Sequence, residues 1–397
     1  MQRANATAET SPRVIALCGL LALAVAMGIG RFAITPVLPV MQEDAGLGIA
    51  EGGWLASANY FGYLAGALYA MKGGTGRGLA IRGGLLAVAL STLAMGFAHS
   101  FAVWIALRAL PGFASALVLV HVSNWSLEEL GKAGRSELGG VVYSGVGAGI
   151  VFAGLACLAL AQARLGSSAA WIALGIAAAL VTAGLWRNTG SDAGGAASAS
   201  APQVPPQAIP EFWLLVFCHG AFGIGYIIPA TFLPALAREI VPDPLRFGWA
   251  WPVFGAAAVL STLLAARLTL LLPNRRIWAL GNLVMAIGVL VPLLVPGLAG
   301  IVASAVCVGG TFMVNSMTGL TEARRVAGEH GRFLMAAMTS AFAVTQIAGP
   351  LLVSALAKVE GGFSAALVAA AIPLFLAAAL LMASRGAPQT TRGNHER

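Results

Sequence analysis

The chain has 397 residues, of which 58% are hydrophobic and 10% charged, with a formal net charge of +8. A soluble domain carries roughly 25% charged residues, so this composition excludes a water-covered globule and makes lipid the fitting solvent. The basic residues stand singly or in pairs between apolar runs, a pattern that orients membrane proteins and argues against a nucleic-acid partner.

Apolar runs long enough to cross a bilayer, about 20 residues, occur twelve times. The first, Val14–Met41, is too long for the apolar core of a cleavable leader. It holds Arg31 in its far half, then Pro36 and Pro39, which predict a kink. The second, Gly53–Met71, carries Asn59 and Tyr63 on one face and spaces Gly62 and Gly66 for close helix contact. The third and fourth, Leu79–Ala98 and Val103–Leu127, form a tight hairpin. Arg108 lies in the fourth, with His121 and Asn124 on the opposite face. The fifth, Leu138–Ala161, repeats the small-residue spacing at Gly145 and Gly149, and the sixth is Ala169–Trp186.

Residues 187–210, RNTGSDAGGAASASAPQVPPQAIP, have no apolar period and read as a flexible linker. After it, Phe212–Leu236 places His219, Phe222 and Tyr226 on one face, with Pro229 and Pro234 as kink candidates. Phe247–Leu272 and Ile277–Val295 follow. Leu298–Leu320 aligns Ser304, Thr311, Asn315 and Thr318 in a stripe that continues to Glu322. Phe333–Ala357 holds Gln346, and Phe363–Ala383 is the last run.

Thirteen basic residues fall on one side: Arg13, Lys72, Arg77, Arg82, Lys132, Arg135, Arg187, Arg275, Arg276, Arg324, Arg325, Arg332 and Arg385. Four fall on the other: Arg164, Arg238, Arg246 and Lys358. The asymmetry predicts a multi-pass protein of a bacterial inner membrane with both termini and the linker in the cytoplasm. The halves also repeat. Gly28-Ile29-Gly30, Leu38-Pro39 and Gly53-Trp54 recur 195 residues later as Gly223-Ile224-Gly225, Leu233-Pro234 and Gly248-Trp249. Glu128 with Ala133-Gly134 recurs at an offset of 194 as Glu322 with Ala327-Gly328. The predicted fold is therefore all-α, with twelve transmembrane helices in two pseudo-symmetric six-helix bundles, 1–186 and 211–397, joined by 187–210.

The residues GIGRFAITPVLPVM at 28–41 and GWLASANYFGYLAGAL at 53–68 resemble the YbfB/YjiJ group of the major facilitator superfamily, and the 6+6 organisation extends the resemblance over the whole chain. Arg108 and Gly112 match the fourth-span Arg-x-x-x-Gly motif of that superfamily. The loop at 71–77, MKGGTGR, keeps basic residues but lacks the usual acid. The fifth-span antiporter motif is represented only by Gly140, Gly149 and Gly154, while Gly349-Pro350 stands in the eleventh span. The resemblance implies a secondary active transporter that moves a small molecule by rocker-switch alternating access, as a monomer in the bilayer, without a cofactor.

The chemistry of the spans refines that expectation. An arginine at the centre of a bilayer costs roughly 3 kcal/mol on insertion scales, so Arg31 and Arg108 face the bundle interior. No acid lies within any predicted span, and the electropositive interior points to an organic anion. Asn59, Tyr63, His219, Tyr226, Asn315 and Gln346 either line the same cavity or bond neighbouring helices, with Asn315 read as water-facing. Glu322 with Arg275, and Glu128 with Arg77, are expected as gating ion pairs. Proton-coupled efflux of drugs or sugars, with a histidine as the titrating group, is the alternative within the class. A membrane enzyme or a sensor is the alternative outside it. Five scattered histidines and four cysteines buried in apolar runs form no metal or nucleophile pattern.

Overall fold

The computed structural model describes residues 11–72, 75–189, 211–240, 248–327, 331–356, 359 and 361–384. Residues 190–210 of the expected linker lie outside the described residues, as do Arg246, Lys358 and Arg385 and the side chains of Lys72, Arg238 and Arg332.

Twelve helical spans follow one another: α1 (Pro12–Asp44), α2 (Ile49–Lys72), α3 (Arg77–Met95), α4 (Phe101–Lys132), α5 (Gly139–Gln162), α6 (Ser167–Leu185), α7 (Phe212–Ile240), α8 (Ala250–Leu271), α9 (Asn274–Leu294), α10 (Leu298–Ala327), α11 (Gly331–Leu356) and α12 (Gly362–Ala383). Among the described residues, ten helices are long and apolar enough to cross a membrane, and α2 and α8 complete the set.

The span α1 is interrupted. An α-helix runs from Pro12 to Leu23, a π-helical stretch covers Ala24–Ile29, and α-helix resumes at Ile34–Asp44. The expected kink was at Pro36 and Pro39. The break falls earlier, at the glycines, because Gly28 lies against the backbone of Gly149 in α5 with no room for a Cβ. Pro36 stands in the first turn of the resumed helix, where backbone N–H groups have no intrahelical acceptor, so it does not break that helix. The span α7 keeps Pro229 and Pro234 inside one helix, so the matched spans differ in regularity.

Lipid tails give no hydrophobic drive between helices, which therefore depend on close packing and hydrogen bonds. Gly145 and Gly149 bring α5 against Leu20 and Ala24 of α1, while Gly62, Gly66 and Gly112 bring α2 and α4 into backbone contact. Within the second half, α7 packs on α11 and α9 on α10 and α12. Between halves, Gly147 meets Gly255 and Gly154 meets Pro252 where α5 lies on α8. Gly53 of α2 lies against Pro350 and Ser354 of α11.

Candidate substrate site

At the break in α1 the backbone amide of Thr35 donates to the carbonyl of Phe32, at 3.1 Å, rather than to that of Arg31. Side chains supply donors to the carbonyls at the break. Arg108 of α4 donates through Nη1 to the Gly30 carbonyl at 3.3 Å and through Nη2 to the Arg31 carbonyl at 3.0 Å. Asn59 of α2 donates to the Gly30 carbonyl at 3.2 Å and to the Arg108 carbonyl at 2.9 Å. Both side chains are fully buried. Their donors face backbone, so the geometry makes Asn59 and Arg108 supports of the break that presents Arg31.

Arg31 itself is 2% exposed. Its Nη2 donates to the Tyr226 hydroxyl of α7 at 3.3 Å and to Gln346 Oε1 of α11 at 2.5 Å, and Gln346 Nε2 donates to the same hydroxyl. The guanidinium lies 4.1 Å from the Tyr63 ring centroid and 5.2 Å from that of Tyr60. Its Nε has no hydrogen-bond partner. Among the described residues no carboxylate pairs with it. Buried charges are normally paired, and here neutral acceptors and aromatic faces compensate only in part. Four sequence-predicted residues, Arg31, Tyr63, Tyr226 and Gln346, thus meet at one point.

Below this point Tyr226 stacks between Phe312 (5.7 Å, 12°) and Phe342 (5.6 Å, 5°). His219 does not touch Arg31. It sits one layer away, among Phe222, Trp278 and Phe342, with Nδ1 unpartnered. Asn315 departs from the water-facing expectation: it is fully buried and donates to Asn282 Oδ1 at 3.1 Å, tying α10 to α9. Its carbonyl oxygen fits against Gly281, where no side chain stands.

The gate candidates divide. Glu322, 1% exposed, pairs with Arg275 of α9 and is held by Arg325 through two bonds of 2.6 and 2.8 Å. Arg275 also pairs with Glu211, which precedes α7. Glu128 lies 2.7 Å from Lys132 on its own helix, with the charge of Arg77 within electrostatic reach.

Sequence reasoning missed Tyr60, Asn282, Glu211 and Thr231. Tyr60 follows Asn59 and meets Thr231 of α7 at 3.2 Å. It belongs to a series of bonds between halves: Thr35 to the Ala230 carbonyl (2.8 Å), Ser57 to the Ile347 carbonyl (3.2 Å) and Ser354 to the Ala50 carbonyl (3.1 Å). All lie toward the end of the bundle opposite the termini. Intramembrane hydroxyls in isolation carry no sequence signal, because one hydroxyl bonds its own helix as readily as a neighbour.

Comparison with known proteins gives the same architecture. Residues 23–382 match the family described as "Uncharacterised MFS-type transporter YbfB". No curated protein matches the chain. The crystal structure of a mutant nucleoside transporter NupG superposes with a TM-score of 0.70 at 12% identity, covering 93% of this chain and 99% of that one. A bacterial homolog of the human lysosomal transporter Spinster, inward-facing and occupied, gives 0.68 at 16% identity, covering 94% and 97%. Its inward-facing unoccupied form gives 0.69 at 15% identity, covering 93% and 96%.

Proposed function

We propose that this chain, which belongs to the YbfB family of MFS-type transporters, carries a small organic anion bound at Arg31. Membership makes it a multi-pass membrane transporter rather than an enzyme. The observation that carries the substrate class is the buried guanidinium of Arg31, with one unpartnered N–H and no carboxylate beside it among the described residues. A carboxylate entering there would supply the missing charge through short, charge-assisted bonds. The Tyr63 and Tyr226 rings would flank its organic part. In this reading residues 1–186 and 211–397 rock about the site as two bundles, with 187–210 as their link. Four bonds between halves toward the end opposite the termini, from Thr35, Ser57, Tyr60 and Ser354, support assigning this conformation to the inward-facing state. The basic residues of the terminal side support placing both termini in the cytoplasm of a bacterial inner membrane. The halves enclose the whole site within one chain, which supports a monomer.

A second reading rests on the stack of Phe312, Tyr226 and Phe342 beside the Gln346 amide. Planar neutral ligands that hydrogen-bond would suit it, such as the nucleosides of the nucleoside transporter NupG. One experiment separates the readings. Purified protein and the Arg31→Gln variant are screened by thermal shift against small carboxylates, nucleosides, sugars and amines at two pH values. A ligand at 100 times its Kd stabilises by about 2.7 kcal/mol. Stabilisation of wild type by a carboxylate, absent from Arg31→Gln, supports the anion site. An equal response of both proteins, or a response only to neutral ligands or amines, overturns it. A pH-dependent carboxylate response would support a coupling proton.

A further inference from the structure

Gln346 of α11 is fully buried, and its side-chain amide lies on the guanidinium of Arg31. Oε1 accepts from Arg31 Nη2 at 2.5 Å, while Nε2 donates to the Tyr226 hydroxyl. An amide and a carboxylate have planar heads of similar size, but the carboxylate offers two acceptor oxygens and a charge. In a guanidinium, Nε and Nη2 share one edge, and a carboxylate can grip such an edge with both oxygens. On Arg31 the Nη2 of that edge bonds the amide and Tyr226, and Nε has no partner. Gln346 thus holds half of a two-donor edge with one neutral oxygen. Tyr226 adds a further donor. Its hydroxyl accepts from Arg31 and from Gln346, and its own proton has no acceptor among the described residues. Arg31 belongs to the first half and Gln346 to the second, so the bond between them is also a tie between the halves.

We infer that the Gln346 amide stands in for the substrate carboxylate and is exchanged for it when substrate binds, an inference that rests on the anion reading of Arg31. The entering carboxylate displaces Oε1 from Nη2, bonds Nε with its second oxygen and accepts the Tyr226 proton in a hydrogen bond. The exchange trades one bond to a neutral oxygen for a pair between ions, each roughly twice as strong as a neutral bond. Gln346 is therefore a specificity residue. It competes with every ligand for Nη2, and it favours those that grip both donors of the edge over those with a single acceptor. Loading also leaves Arg31 held by the anion rather than by α11, which loosens the tie between the halves at their centre.

The test uses Gln346→Leu, which removes the competing oxygen at similar volume, and Gln346→Glu, which fixes a carboxylate in the same place. Wild type, both variants, Arg31→Gln and the double variant Arg31→Gln with Gln346→Glu are purified and followed by thermal unfolding, alone and in a titration with benzoate. Benzoate is expected to bind Gln346→Leu about ten-fold more tightly than wild type, the worth of one competing hydrogen bond. Gln346→Glu is expected to lose the benzoate response and, without any ligand, to unfold about 2 °C or more above wild type, because the buried guanidinium gains its counter-charge. The same substitution in Arg31→Gln is expected to lower Tm. Equal or weaker benzoate binding by Gln346→Leu, while wild type responds, overturns the exchange and leaves the anion reading standing. A Gln346→Glu effect of the same sign with and without Arg31 overturns the place assigned to the carboxylate, even if Gln346→Leu fails to fold. No benzoate response from either wild type or Gln346→Leu, with the Gln346→Glu gain intact, overturns the exchange together with the anion reading.

Discussion

Neutralising Glu322 and Arg275, singly and together, tests whether the buried charge cluster at the terminal side acts as a unit. Removing one member of a fully buried pair costs about 3–5 kcal/mol, because the survivor is left uncompensated. Here each survivor keeps one charged partner: Arg325 remains on Glu322, and Glu211 remains on Arg275. Those partners are 32% and 31% exposed, so they replace the lost charge only in part. The expected cost of Glu322→Gln or Arg275→Gln is therefore about 1–3 kcal/mol, the worth of a hydrogen bond to a charged group. For a domain of 150–250 residues that corresponds to about 2–12 °C in Tm. The double variant leaves neither buried charge, and its loss should fall short of the sum by about 1–2 kcal/mol. Thermal unfolding in detergent, followed by fluorescence on all four proteins, gives the cycle. Additivity within about 0.5 kcal/mol would refute the claim that the two residues are coupled.

Other expectations follow from packing and hydrogen bonding. Gly145→Ala drives a Cβ into the Leu20 backbone and should cost about 1–3 kcal/mol by overpacking. Gly184→Ala meets nothing within 4 Å and should gain up to about 1 kcal/mol from helix propensity; both are read by thermal unfolding. Asn315→Leu should cost about 1–3 kcal/mol by stranding Asn282. Adding Asn282→Leu should return stability close to wild type, as thermal unfolding of the pair would report.

The span count, the duplicated halves and the family were legible because apolar run length, basic asymmetry and a constant offset are linear features of the chain. The meeting of Arg31, Tyr226 and Gln346 was legible in its members but not in its contacts, since each could equally have bonded an unrelated neighbour. Asn315 shows the limit. Its stripe with Thr311 and Thr318 has the spacing of a water-facing helix, and only the glycine opposite, Gly281, makes room for it inside the helix interface. The prolines of α1 misplaced the break for a similar reason. A proline signals locally, whereas the contact of Gly28 with Gly149 joins residues 121 positions apart. Glu211 went unseen because it stands between the linker and the apolar run that starts at Phe212, and its partner Arg275 is distant in sequence.

Two of the bonds between halves, Arg31 with Tyr226 and Thr35 with Ala230, join residues whose separation is the repeat offset of 195. Equivalent positions of two related bodies touch only beside the rotation axis that relates them. In an ancestral pair of identical half-length chains, residue 31 would therefore have faced its own copy. Two buried arginines there would repel, so this contact requires different residues at the two equivalent positions. The buried charge of Arg31 is thus a feature that two identical halves could not hold in this form.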